Sequence, residues 1–152
     1  MDTLVETHDA PAVSRLHEFE AHLATAPQLE LPLEHFFTPG LYLRKIFMPA
    51  GSIVISRRHK TEHPYMALQG IADVFNEHGE FVERVKAPHV GVTKPGTLRI
   101  LIIQDDSVWA TAHVTDLTDP DEIVLSISEH DNPLLPEGFI DGAFTRRKEL
   151  PL

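Results

Sequence analysis

Cysteine is absent from the sequence, which removes disulfides, thiolate catalysis and sulfur-ligated zinc or iron–sulfur sites from consideration. Any metal has to be held by His, Asp or Glu. Basic residues are scarce: 13 Lys and Arg stand against 23 Asp and Glu, for a formal net charge of −10. A molecule this acidic is repelled by phosphate backbones and anionic lipid, so nucleic-acid and membrane-surface partners are disfavoured. Long apolar runs are missing, and Met1-Asp2-Thr3-Leu4-Val5-Glu6 carries acids, so neither a secretory signal nor a membrane span is expected and the expected location is cytoplasmic. Repeats and low-complexity tracts are also lacking. At 152 residues and 42% hydrophobic content, the chain fits one domain with one core.

What is present is punctuation. Twelve prolines and eight glycines divide the chain into short segments, as a fold of many short strands requires. Asp9-Ala10-Pro11 reads as a helix start, and Val13, Leu16, Phe19 and Leu23 follow at helical spacing until Pro27. Residues 29–39 read as an arm leading to the first strand. Strand signals then run from Leu41 to Thr115: Leu41 to Met48, Ser52 to Arg57, His63 to Gln69, Ile71 to Phe75, Phe81 to Val85, His89 to Thr93, Leu98 to Gln104 and Val108 to Thr115. Asn76 to Glu80 is a hairpin loop, while Gly70, Pro95-Gly96 and Asp105-Asp106 read as breaks. Asp119 caps a second helix with Pro120 in its first turn, running to about Glu129. From Asp131 the proline-interrupted tail, with its basic Arg146-Arg147-Lys148, reads as an extended arm, docked or disordered. The expectation is a mainly β single domain: a helical arm over about 1–40, a barrel over about 41–115, and a helix and tail over about 116–152.

The stretch from Gly51 to Gly70 resembles the first motif of the cupin superfamily, in which a glycine is followed by His-x-His, then a Glu, then six residues before a closing glycine. With Gly70 as the closing glycine, His63 stands at the Glu position, His59 at the second histidine and Arg57 at the first. Pro95-Gly96-Thr97-Leu98-Arg99 resembles the second motif, with one residue fewer before its glycine and Arg99 in place of its histidine. The resemblance covers about Phe36 to Thr115 and implies a jelly-roll β-barrel. More closely, His59-Lys60-Thr61-Glu62-His63, Thr93 to Thr97 and Trp109 to Thr115 look like small cupin-like proteins of tailed phages and prophages, a group that implies no activity.

Strand geometry points to a site independently, because residues an even number apart share a face. His59, Thr61, His63 and Tyr65 fall together, as do Trp109, Thr111, His113 and Thr115. The intervening Val108, Ala110, Ala112 and Val114 form an apolar set suited to packing under a neighbour. His59, His63 and His113 are therefore the candidate ligands of a divalent transition metal, with Glu62, on the opposite face, in reserve. Arg99 is a candidate clamp for a carboxylate or phosphate, and Tyr65 and Trp109 are candidates to stack on a ring. The plainer alternatives are surface positions for His59 and His63, a hydrogen-bonded core position for His113, an ion pair for Arg99 and simple core packing for the aromatics. His8, His17, His22, His35, His78, His89 and His130 carry no site signal. No phosphate loop, nucleophile elbow or His-Glu-x-x-His motif is present.

Two functions remain open. One is a metal-binding protein that acts on or senses a small polar molecule. The other is a non-catalytic scaffold, for instance a phage virion or accessory component, whose arms contact other subunits; if phage-encoded, it would be located in the virion. Leu134, Leu135, Phe139, Ile140 and Phe144, in a tail unable to bury them as a regular helix, predict a homo-oligomer.

Overall fold

The computed structural model describes residues 15–135 and the backbone of 143–146. Helix α1, helical over 15–25, buries Leu16 and Leu23, two positions of the predicted stripe; Val13 and the predicted helix start lie outside the described residues. Both leucines pack with Ile53, Ile55, Leu98 and Ile100. Full burial of a side chain such as Leu23 contributes about 1.5–3 kcal/mol. Next to them Asn132 Nδ2 donates to the Glu20 carboxylate at 2.9 Å and to the His17 carbonyl at 3.0 Å, so the chain after the second helix is pinned to the first.

Residues 29–39 are more than an arm. Leu33–Thr38 forms strand β1, joined by a tight turn at Gly40, whose φ is +73°, to β2 (Leu41–Met48). The remaining strands are β3 (Ser52–Ile55), β4 (Arg58–His59), β5 (His63–Phe75), β6 (Phe81–Lys86), β7 (His89–Thr93) and β8 (Ile100–Val114). Strand β8 is the spine. β2 and β3 follow one another along one of its edges, with Met48 opposite Ser107 and Ile53 opposite Ile102. β5 runs along the other edge, from Tyr65 opposite Thr111 to Phe75 opposite Ile100. β1 borders β2, while β7 and β6 border the two halves of β5. The chain is thus mainly β, but its hydrogen-bonded path does not return on itself among the described residues.

Two expected breaks are absorbed within strands. Gly70 does not close a strand: β5 continues through it with shifts of register against β8 between Ala67 and Ala72. Gly70 has φ +89°, and a Cβ there would run into the backbone of Asp106 and Ser107; the bulge needs glycine for both reasons. Asp105-Asp106 lies inside β8, opposite that bulge. The expected apolar set along β8 also divides, since Ala110 is buried but Val114 is 90% exposed.

Helix α2 (Pro120–Ile127) begins as predicted, with the Asp119 carboxylate accepting from the Asp121 N–H at 3.0 Å and Pro120 in the first turn. It ends before Glu129 because Ser128–Glu129 becomes strand β9, paired with β4. Part of the tail is docked as an extended segment: β10 (Ala143–Arg146) adds antiparallel to β3. Phe139, Ile140 and the Phe144 side chain lie outside the described residues.

Candidate functional site

The core facing α2 opens into a cavity of about 140 Å³. Even spacing along three strands supplies one side of its wall. Arg44 and Ile46 project from β2, His63 and Tyr65 from β5, and Trp109, Thr111 and His113 from β8; Arg44 lies opposite Thr111, and Tyr42 opposite His113, in the strand register. The rest of the wall comes from Ser56, Arg57 and Arg99 in irregular chain, His59 in β4, Val124 and Ile127 in α2, and Ser128 in β9.

Backbone bonds hold the two motif segments together. The Gly96 N–H donates to the His59 carbonyl at 2.7 Å, and the His59 N–H donates to the Thr97 carbonyl at 2.8 Å. Arg99 is fixed in the same way, its N–H donating to Ser56 Oγ and its carbonyl accepting from the Ser56 N–H, both at 3.0 Å. The Lys60 N–H reaches the Ile127 carbonyl at 2.8 Å, which joins α2 to the same segment.

The three proposed histidines come together. Ring centroids are 5.0 Å apart between His59 and His63, and 4.3 Å between His63 and His113. His63 and His113 are buried, while His59 is partly so. His63 Nδ1 donates to the Thr61 carbonyl at 3.1 Å, which assigns the lone pair to Nε2. His113 Nε2 pairs with Thr111 Oγ1 at 2.8 Å. That leaves His59 Nδ1, His63 Nε2 and His113 Nδ1 buried without a hydrogen-bond partner. Burial, then repulsion from His63 and from Arg99 or Arg44, holds His59 and His113 down at about 3. Burial also lowers His63, with Arg99 adding to the effect and the bond to Thr61 opposing it. All three are therefore neutral imidazoles, the form that donates a lone pair.

Arg99 does not form the ion pair of the plainer reading. Its guanidinium lies 4.6 Å from the centre of the Tyr65 ring and donates to Thr93 Oγ1 at 2.9 Å, and among the described residues no carboxylate is in ion-pair range of it. Burial disfavours its charge. Tyr65 in turn stacks on Trp109 at 5.2 Å. Glu62 points away, exposed and paired with Lys94 at 3.2 Å, so it takes no part in the pocket.

Several neighbours carry no signal in the sequence. His89 Nε2 lies 3.2 Å from the Tyr65 hydroxyl, reached because β7 pairs with β5. Tyr42 stacks on His113 at 5.9 Å. Arg44 is recognisable only once the register places it opposite Thr111. Arg57, by contrast, is marked in the sequence by its motif position, and its Nε donates to Ser128 Oγ at 2.8 Å.

No family model and no curated protein matches the chain. Solved structures do. Ectoine synthase from P. lautus aligns with a TM-score of 0.50 at 10% identity over 60% of this chain and 70% of that one. A cupin superfamily protein from Desulfitobacterium hafniense aligns with a TM-score of 0.47 at 11% identity over 60% of this chain and 83% of its own. An acetylacetone dioxygenase from Acinetobacter johnsonii gives 0.45 at 17% identity over 55% and 59%. Of these three, the Desulfitobacterium protein is described as a cupin, and at these identities the likeness is one of fold.

Proposed function

We propose that this cupin-like chain holds a divalent transition metal on His59, His63 and His113 and acts on, or senses, a small polar molecule in the adjoining cavity. The finer fold that accompanies this reading is a jelly-roll barrel curled around the cavity. The observation that carries it is the set of orphaned imidazole nitrogens, His59 Nδ1, His63 Nε2 and His113 Nδ1. A buried polar atom without a partner costs free energy, and three beside one cavity are accounted for by a common ligand. The donor chemistry suits zinc, iron, copper, nickel or manganese. As the side chains stand, no group of three or more His, Asp or Glu residues among those described is set to hold a metal, so uptake entails a turn of the rings. The Thr61 carbonyl supports His63 from behind, as metal-binding imidazoles require. A bound metal would polarise an oxygen or activate water.

Metal analysis of the purified protein, before and after loading with zinc, manganese and iron(II), tests the reading. The expected result is one equivalent per chain, lost on His63→Ala and kept on His78→Ala. A loaded parent protein that retains none overturns it, and the scaffold reading then takes its place.

A further inference from the structure

The chain carries a net charge of −10, yet among the described residues its cavity is lined by Arg44, Arg57 and Arg99 and by no aspartate or glutamate. This inversion of sign is local. Arg99 shows it most clearly, since its surroundings are an aromatic face and the Thr93 hydroxyl rather than an acid. The Glu83 carboxylate acts on Arg99 only from beyond ion-pair range, and a guanidinium partly withdrawn from water without a direct counter-ion is costly; the cost falls away when a ligand brings the negative charge.

The net charge does not draw anions in from a distance, so recognition has to be made by contacts inside the pocket. Most of the remaining wall is apolar, with Met48, Leu101, Trp109 and Ile127 among it. Inorganic phosphate, polar on every side, would leave oxygens against that surface. A carboxylate attached to a short hydrocarbon meets the guanidinium fork at one end and the apolar wall at the other. A cavity of about 140 Å³ limits such a ligand to a few carbon atoms.

We propose that the small polar molecule of this pocket is a short-chain organic carboxylate whose charged end is received by Arg99. This rests on the reading of the pocket as a small-molecule site, but not on its metal.

The single tryptophan of the chain, Trp109, lines the cavity, so its fluorescence reports occupancy. Chelator-treated full-length protein is titrated with propionate and malonate, with their uncharged amides, and with inorganic phosphate at constant ionic strength. The expected result is a saturable emission change with the carboxylates, at least about tenfold tighter than with the amides or phosphate. Arg99→Gln should remove it and Arg99→Lys should retain part of it. The comparison of acid with amide in the parent protein needs no variant to fold. Equal affinity for acid and amide, phosphate binding as tight as carboxylate, absence of saturation, or binding that appears only after metal is restored overturns the proposal. Carboxylate binding by metal-free protein upholds it even where the metal reading fails.

Discussion

The Tyr65 ring occupies the space that a side chain on Gly91 would fill: a Cβ at Gly91 would collide with Cε1, Cζ and the hydroxyl of Tyr65. Strand pairing sets the two opposite each other, so the glycine on β7 is the reason an aromatic on β5 can stand upright between Arg99 and Trp109. Gly91→Ala should destabilise the protein by about 1–3 kcal/mol through overpacking, measured by urea unfolding. Tyr65→Ala in the same chain should recover part of that loss. Two substitutions whose effects simply add would show that the ring and the glycine are not coupled.

Acid should weaken the metal-stripped protein in a defined window. His59 and His113 are held at about 3 when folded, whereas the unfolded chain takes up protons at these positions near 6.5. The unfolded state therefore binds more protons between those values, and the stability contributed by the neutral rings is complete above 6.5 and is lost as the pH falls from there toward 3. His113→Gln should make the decline shallower. A urea midpoint that stays constant across the window would rule the mechanism out.

Helix α2 depends on its cap. Asp119→Ala removes the acceptor for the Asp121 N–H and should cost about 1 kcal/mol. Because Val124 and Ile127 line the cavity, the same change should also raise the dissociation constant of any pocket ligand, whereas Asp116→Ala, outside the helix, should do neither. Thermal melts with and without ligand distinguish the two variants.

Truncation after Leu135 takes away β10 and leaves the outer edge of β3 unpaired. An uncovered edge is a template for pairing with another chain. The shortened protein should melt earlier and scatter more light as its concentration rises. Identical melting and scattering would mean that β10 adds nothing to the sheet.

The legible parts of this chain are those decided by neighbours in sequence. β2 and β7 coincide with their predicted limits, and Asp119 caps α2, because alternation and capping act over a few residues. Even spacing likewise brought His63 with Tyr65, and Trp109 with His113, to a common wall. What local chemistry does not show is how segments lie against one another. Gly70 and Asp105-Asp106 have the composition of turns, yet each is held in a long strand by the other's backbone across a bulge. Leu33 to Thr38 lacks alternation and becomes a strand because β2 offers it an edge. Register alone brings Arg44 into the pocket wall and sets Tyr42 and His89 behind it, against His113 and Tyr65.

The pairing of β4 with β9 has one more effect. His59 sits in β4 and Ser128 opposite it in β9, so the segment carrying an imidazole is joined by backbone pairing to the segment closing the cavity. Were the cavity to take a ligand, docking of α2 and placement of the His59 ring would be linked: a ligand would tighten the helix, a loosened helix would release the ligand sooner, and residence time would depend on a helix end as well as on the groups that touch the guest.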